Sequence, residues 1–345
     1  AAKSYKSESS GAATPMTTRR NVILGGASAA GLAGLTGCAP AAADGVLTAA
    51  DVHRATYPTV LAVQWIGEQL AQESQGRLSI QSFPAGQVGS EDDSIGLARM
   101  GALDMVRVSS AALNNRVPLT RLLGLPYVIR SKEQLRAVAD GPVGDRVNQA
   151  FEGTGLIPLA IYDAGLRCVY NTKRPIERPQ DLVGLKLRTP QSDLFIGIVR
   201  AMGASPTPLT IGYVFQGLST HLIDGAENNW PTFESSRHVE LAKYWSNTLH
   251  SAAPEFLLMS QRRFEALTPA DQALVRDLAT RSKSVMREAW DTLETEAEAA
   301  ARAEGAIVVE PDRAAFEEAT RRLVEDEIDR LGAQALVSAI ARLDG

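Results

Sequence analysis

Three stretches of the sequence carry polar side chains where a predicted strand meets a turn. They are residues 162–167, 187–191 and 224–231. Ligands of α/β proteins bind outside the carboxyl ends of the strands. Arg167 and Arg188, placed there, would suit a carboxylate, because a guanidinium offers a rigid fork of donors. By residue type alone, an arginine at a strand end is more often a surface or salt-bridge residue, so spacing leaves the role of Arg188 open.

The third stretch ends in Asn228, Asn229 and Trp230. The two amides offer neutral donors and acceptors of the kind that bind hydroxyl groups, and the indole offers an apolar plate for the face of a sugar. The same residues, standing before Pro231, are also typical of a turn. The residue types therefore indicate a site for carboxylate and hydroxyl groups and leave a structural role open.

Motifs for catalysis are missing from the sequence. It contains no Walker P-loop, HExxH helix, GxSxG elbow or GxGxxG turn after a strand. The histidines are scattered without metal-ligand spacing, and Cys168, which has no base beside it, is expected to pack as a small buried residue. We therefore predict a binding protein and not an enzyme, with no cofactor and no metal. The four histidines are His53, His221, His238 and His250.

Length, composition and charge limit the kinds of protein that this chain can be. A chain of 345 residues is long enough for two domains, and 45% hydrophobic with 22% charged residues is ordinary for globular proteins. The net charge is −5 and no basic block stands out, which excludes nucleic acid as the main partner because phosphate neutralisation needs a concentrated basic face. Two cysteines cannot build a disulfide framework.

The N-terminal region resembles an export signal. Arg19-Arg20 precede an uncharged stretch, 22–35, that is too short to cross a bilayer as a helix. The paired arginines are typical of the twin-arginine class. The stretch ends in Leu-Thr-Gly-Cys, which resembles a lipoprotein box with Cys38 as the lipid-attachment residue. A plain secretory signal with a chance cysteine is the alternative. Residues before Met16 are set aside as an upstream extension.

Strand and helix patterns alternate along the rest of the chain, which predicts an α/β fold. In the C-terminal third, Thr268-Pro269 is a good helix start, and apolar residues then recur at helical spacing to about Arg302. Such a helix, near 35 residues, would span roughly 50 Å, which suggests a spine across two lobes. The first patterns are strand 46–52, helix 57–74, strand 78–83, helix 91–100 and strand 103–108.

The chain resembles a known family over most of its length after about Asp51. The motifs that carry the resemblance include DLVGLKLRTPQSDLF, AMGASPTPL and LIDGAENNWPTFESSRHVELAKYW, in that order, with FPAGQVGSED, GALDM and LGLPYVI before them and LTPADQALV after them. These are similar to the substrate-binding proteins of tripartite ATP-independent periplasmic (TRAP) transporters. The resemblance implies two α/β lobes that close on a ligand at a hinge cleft, with a long spine helix.

The expected organisation has three parts. Residues 1–45 would form the extension, export signal and lipoprotein linker. Lobe I would comprise 46–165 plus 254–293, and lobe II 166–253 plus 294–345.

The resemblance also implies roles for single residues. Arg188, in the Leu-Arg-x-Pro motif, would clamp the ligand carboxylate, and Arg167 would be its companion. DVHRATYPTV, DMVRVS, YDAGLRCVYN and DGAENNWP look most like the subgroup that binds uronates, which would make Arg107 a ligand contact. Together with the residues chosen by type, the expected ligand-binding set is His53, Glu91, Arg107, Arg167, Arg188, Gln191, Asn228, Asn229 and Trp230.

The expected function is an extracytoplasmic receptor, periplasmic and anchored through Cys38, that captures a uronate such as glucuronate or galacturonate and delivers it to the small and large membrane subunits of a TRAP permease. The alternatives are a receptor for another small carboxylate (a 2-oxo acid, an aldonate or a C4-dicarboxylate), a sugar-acid enzyme and a sensory module. One departure from the family pattern is that Ile211 and Tyr213 stand where an aromatic residue and a glutamate are usual.

Overall fold

The computed structural model describes residues 45–252 and 254–343. The predicted export signal, Arg19-Arg20 and Cys38 lie outside these residues. The strands are β1 (Gly45–Ala50), β2 (Leu78–Phe83), β3 (Met105–Ser109), β4 (Leu156–Tyr162), β5 (Leu166–Asn171), β6 (Lys186–Thr189), β7 (Ser205–Pro208), β8 (Gly225–Asn228), β9 (Tyr244–Ala252), β10 (Glu255–Ser260) and β11 (Ile307–Val309).

The α-helices are α1 (Pro58–Glu73), α2 (Glu91–Met100), α3 (Ser110–Leu113), α4 (Lys132–Asp140), α5 (Pro142–Gln149), α6 (Asp193–Ala201), α7 (Val214–Ser219), α8 (Trp230–Ser235), α9 (Gln261–Ala266), α10 (Pro269–Ala303), α11 (Arg313–Leu331) and α12 (Gln334–Ile340). Short 3-10 helices cover Pro118–Gly124, Pro179–Leu182, Ile211–Tyr213 and His238–Glu240. No helix among the described residues is both long and apolar enough to span a bilayer.

The strands form two mixed sheets. The order is β2-β1-β3-β10-β4 in the first sheet and β11-β9-β5-β8-β6-β7 in the second. In the first sheet β1 is parallel to β2 and β3, while β10 is antiparallel to β3 and β4. In the second, β6 is parallel to β7 and β8, and β5 is antiparallel to β8 and β9. The predicted α/β class is confirmed, and the exact lobe boundaries stay a prediction.

Two strand connections cross from one sheet to the other, side by side. The chain passes from β4 to β5 at 163–165, and β9 ends at Ala252 shortly before β10 begins at Glu255. Leu166 pairs with Ala252 on one side of the crossing, and Tyr162 pairs with Glu255 on the other. The two connections therefore continue an antiparallel pair that joins both sheets.

Helix α10 is the predicted spine. The Thr268 side chain accepts a hydrogen bond from the Asp271 N–H and begins the helix, which runs for 35 residues, or about 50 Å. Trp290 lies in the core of the first sheet and Ala297 in a core of the second. One helix thus packs on both sheets, as the sequence predicted.

Strand β6 positions Arg188. Side chains alternate across a strand, so Leu187 lies in the core with Phe195, and Arg188 faces the opposite side. Since β6 lies between β7 and β8, its backbone is paired on both sides. Gly225 allows the close approach of β8 to β5, because a Cβ there would lie 2.3 Å from the Tyr170 carbonyl oxygen.

Candidate ligand-binding site

Two neighbouring cavities lie between the sheets, with volumes of about 40 Å³ for the inner cavity and about 450 Å³ for the outer cavity. Their walls share Val52, Glu91, Arg188, Pro190 and Ile211, so they are parts of one cleft. The remaining residues of the inner wall are His53, Arg107, Ser109, Arg167, Asn228, Thr232 and Glu255.

Arg188 is buried in this cleft without a carboxylate partner. The residue is only 5% exposed, and its Nε donates to the Leu209 carbonyl at 2.7 Å. Among the described residues, no carboxylate lies within ion-pair distance of it and neither Nη nitrogen has a hydrogen-bond partner. Burial lowers its pKa from 12.5 to about 10. The guanidinium therefore presents two unpaired donor groups to the cavities.

Arg107, in contrast, is surrounded by carboxylates. Its Nε donates to Asp51 at 2.9 Å and its Nη2 makes a second bond to Asp51. Its Nη1 donates to Glu91 at 3.1 Å and to Glu255 at 2.6 Å. The guanidinium is almost fully occupied by the protein, so its predicted contact with a ligand competes with three carboxylates. Its main effect is to hold Glu91 and Glu255 at the cavity wall.

Glu255 is the least compensated of these carboxylates. It lies on β10, opposite Tyr162 and Ser109 of the neighbouring strands. Burial raises its pKa, and the nearby carboxylates of Glu91 and Asp51 add to the shift, while Arg107 opposes it. Asp51 behaves differently, because its two bonds to Arg107 outweigh burial and lower its pKa. Glu255 thus takes up a proton more easily than Asp51 does.

Arg167 is paired within the second sheet. Its Nε and Nη2 both donate to the Glu227 carboxylate, the latter at 2.9 Å, and Nη2 also donates to the Glu227 carbonyl at 2.7 Å. The attraction of Arg167 outweighs burial and lowers the pKa of Glu227 from 4.5 to about 2. His250 Nε2 lies 3.5 Å from the same carboxylate. The pair is a preformed part of the wall, with Arg167 Nη1 reaching Asn228 at 3.2 Å.

Two neutral groups complete the inner wall. The His53 ring stacks on Tyr57 with centroids 3.8 Å apart, and burial lowers its pKa to about 3, so it is uncharged at neutral pH. Asn228 Oδ1 accepts from Arg167 Nη1 and from the Asn229 N–H. Its Nδ2 has no partner among the described residues and is available as a donor.

The structure brings most of the predicted residues together. Gln191 lines the outer cavity, while Asn229 and Trp230 lie off both walls. Asn229 caps α8, accepting from the Thr232 N–H at 2.9 Å, and Trp230 stacks on Trp245 at 3.7 Å in the core. The structural role left open for these residues is what the structure contains, as the start of a helix in place of the expected turn. The predicted residues on the inner wall are His53, Glu91, Arg107, Arg167, Arg188 and Asn228.

The sequence reasoning missed several polar residues of the site. Glu255 was missed because β10 is buried and lacks an alternating pattern. Glu227 stood in the quoted DGAENNWP motif without a role, and a carboxylate directly before Asn228 and Asn229 at the end of a strand was the available signal. Asp51 stands at the end of a predicted strand, as Arg188 does, and the same argument would have found it.

Comparisons with known proteins agree on one family. Residues 49–330 match the family described as bacterial extracellular solute-binding protein, family 7. A TRAP periplasmic solute-binding protein from Bradyrhizobium sp. BTAi1, solved in complex with α/β-D-galacturonate, is 45% identical, with a TM-score of 0.83 over 85% of this chain and 98% of that chain. The protein from Citrobacter koseri, solved with bound D-glucuronate, is 35% identical, with a TM-score of 0.84 over 87% and 100%. A solute-binding protein of Chromohalobacter salexigens is 34% identical over 70% of this chain and 72% of its own length.

The Arg167–Glu227 pair predicts a stability effect. Glu227→Gln removes one partner of a buried ion pair, which costs about 3–5 kcal/mol in the free energy of unfolding. Because the folded-state pKa of Glu227 lies below its ordinary value, the pair stabilises fully above about pH 4.5 and its contribution is lost as the pH falls towards 2. The difference between wild type and variant in urea unfolding should therefore shrink across that range.

Glu234→Gln is the matched control for this measurement. Glu234 pairs with Arg54 at 3.1 Å, but both side chains are partly exposed, so its loss should change the free energy of unfolding by about 1 kcal/mol or less. Equal effects of the two substitutions, or a difference for Glu227→Gln that does not vary with pH, would contradict the assignment.

Proposed function

Since the chain belongs to family 7 of the bacterial extracellular solute-binding proteins, we propose that it is a receptor that captures a hexuronate, galacturonate or glucuronate, and delivers it to a TRAP permease. The observation that carries this proposal is Arg188, a buried guanidinium whose two Nη nitrogens have no protein partner among the described residues. The bound uronates of the Bradyrhizobium and Citrobacter proteins support the choice of ligand.

The ligand carboxylate would complete the pairing of Arg188. A buried charge without a partner is costly, and a carboxylate matches both Nη donors in a bidentate pair. Arg107 and Arg167 are already paired with carboxylates of the protein. The site therefore has one unfilled place for a negative charge, beside Arg188.

The hydroxyl groups of the sugar ring would meet the rest of the inner wall. Asn228 Nδ2 offers a donor, Glu91 and Glu255 offer acceptors, and neutral His53 offers either. A 2-oxo acid or C4-dicarboxylate would pair with Arg188 equally well but would leave Asn228 Nδ2 without a partner and would not use the accepting oxygens of Glu91 and Glu255 that Arg107 leaves over. Leaving polar groups unpaired is what makes such sites reject analogues that lack the hydroxyls. The wall thus favours a polyhydroxylated acid.

Arg188→Ala should weaken the binding of the uronate by about 2–5 kcal/mol, or roughly 30- to several-thousand-fold. The amide of the same uronate, which lacks the charge, should bind wild type far more weakly than the acid, and Arg188→Ala should remove most of that difference. Isothermal titration calorimetry of both ligands with both proteins measures this coupling. A C4-dicarboxylate and a 2-oxo acid belong in the same series.

Arg200→Ala is the control, because Arg200 lies exposed near the end of α6 and surface substitutions have small effects. Near-native uronate affinity in Arg188→Ala would contradict the role of Arg188. Tight binding of a dicarboxylate or 2-oxo acid, with no binding of either uronate, would replace the uronate by that ligand and keep the receptor role.

The two sheets would act as the two lobes that close on the ligand, with boundaries as the sequence predicted. Glu91, Arg107 and Glu255 belong to the first sheet and its helices, whereas Arg188 and Asn228 belong to the second. A ligand held by both sets stabilises the closed arrangement, because it binds that arrangement better than an open one. The crossing at 163–165, beside the adjoining ends of β9 and β10 at Ala252 and Glu255, is the candidate for the hinge.

Closure predicts that saturating uronate lowers the radius of gyration measured by small-angle X-ray scattering. Arg188→Ala, measured at the same ligand concentration, should keep the larger value, while Arg200→Ala should contract as wild type does. An unchanged radius of gyration in wild type, under conditions where calorimetry shows full binding, would contradict closure.

Export and anchoring form a separate part of the proposal. The family description as extracellular agrees with the Arg19-Arg20 pair and the Leu-Thr-Gly-Cys sequence, which support twin-arginine export and lipidation of Cys38. In a Gram-negative host fed an alkyne-labelled fatty acid, the protein should carry the label and sediment with membranes. Cys38→Ser should lose both properties, and replacement of both arginines by lysine should keep the protein in the cytoplasm. An unlabelled wild type released by osmotic shock would contradict the anchor.

A further inference from the structure

We infer that the outer cavity is a second sugar subsite, so that the receptor also takes disaccharides in which a hexuronate is joined to a neutral pyranose. The inference rests on the proposed function, because it takes the position of the uronate beside Arg188 as given. It adds a ligand class, defined by the size, the aromatic wall and the charge of the outer cavity.

The inner cavity, at about 40 Å³, is too small for a whole hexuronate, so a uronate bound at Arg188 would also fill part of the outer cavity. The outer cavity offers space beyond that first ring. Its volume is about 450 Å³, within the range of roughly 300–1,000 Å³ that is typical of drug-sized ligands. It is continuous with the inner cavity along Glu91, Arg188 and Ile211. A ring attached to a uronate held at Arg188 would therefore extend into this space without leaving the cleft.

Tyr213 supplies an aromatic wall that belongs to the outer cavity alone. The residue is 60% exposed, and its hydroxyl makes no hydrogen bond among the described residues. Its backbone is fixed, because the Tyr213 N–H donates to Thr210 at 3.1 Å and the Leu209 N–H to Thr189 at 3.0 Å. An exposed ring on a fixed backbone matches the apolar face of a pyranose.

The same loop is bound to the carboxylate clamp. The Leu209 carbonyl accepts the hydrogen bond from Arg188 Nε at 2.7 Å, four residues before Tyr213. The distance between the guanidinium and the aromatic ring is thus set by one short segment. This coupling places the second ring at a defined position relative to the uronate carboxylate.

Charge on the opposite wall selects a neutral second ring. Asp92 is paired with Arg116 at 2.5 Å, but Asp93 has no cationic partner among the described residues. Its Oδ2 accepts from the Ser90 N–H and hydroxyl at 2.9 and 2.7 Å, which leaves Oδ1 free to accept from a sugar hydroxyl. Since Arg188 would be neutralised by the uronate, a second carboxylate here would meet an uncompensated like charge.

Calorimetry with three ligands tests the inference on the full chain. The ligands are the preferred free uronate, an aldobiouronic acid built on it (galacturonosyl-rhamnose for galacturonate, glucuronosyl-xylose for glucuronate), and the matching diuronate. Wild type should bind the aldobiouronic acid at least as tightly as the free uronate. It should bind the diuronate at least about tenfold more weakly than the aldobiouronic acid, which corresponds to about 1.4 kcal/mol in binding free energy. Asp93→Asn should narrow the gap between the two disaccharides.

Tyr213→Ala should lower the affinity for the aldobiouronic acid by about 3- to 10-fold, in line with the loss of one aromatic contact. The affinity for the free uronate should stay within about twofold of the wild-type value. Leu222→Ala is the matched control, because Leu222 is also an exposed apolar residue, 54% exposed, and lines neither cavity. It should change neither affinity.

Two results would overturn the inference. If wild type binds the free uronate but binds the aldobiouronic acid about 100-fold more weakly, the outer cavity is only the mouth of the cleft. If the diuronate binds as tightly as the aldobiouronic acid, the selection by charge is wrong. Failure of all three ligands to bind would instead overturn the proposed function and the inference with it.

Discussion

The structure depends on one constraint, which is that an interior arginine must be neutralised. Three arginines line the inner cavity, and the protein neutralises two of them with its own carboxylates. The third, Arg188, is as deeply buried as Arg167, but within the described part of the chain its hydrogen-bond partner is a carbonyl oxygen. A folded protein tolerates such a group when solvent or a ligand reaches it. The strands and cavities can both be understood as the means of presenting this cation to a small anion.

The paired arginines have a different task. Arg107 gathers Asp51, Glu91 and Glu255 from three separate segments, and Arg167 fixes Glu227 and Asn228 on the adjoining strand. Both act as internal supports that orient oxygen and nitrogen atoms towards the cavity. Rigid support of this kind lowers the entropy that a ligand loses on binding. Recognition of hydroxyl groups is therefore built by arginines that need not touch the ligand.

The pairs that Arg107 and Arg167 form with carboxylates also show which features could not be predicted from the sequence. Regular patterns located α2 at 91–100 and α10 from Pro269, and placed Arg188 at a strand end with its role open, because each depends on neighbouring residues along the chain. Strand β10 escaped because it is buried on both faces. The pairing of Arg107 with Glu255, and the burial of Trp230 against Trp245, depend on contacts between distant segments. The sequence around an arginine does not show whether a distant segment will supply a carboxylate partner for it in the folded protein.

The attachment of loop 209–213 to Arg188 has a consequence for how such receptors diverge. The hydrogen bond between the loop and the clamp uses the Leu209 backbone carbonyl, which every amino acid possesses. Substitutions at the side chains of Thr210, Ile211 and Tyr213 can therefore accumulate while the hydrogen bond that orients the guanidinium persists. The preferred length and shape of the ligand can then differ between paralogues, while the preference for an acid is retained.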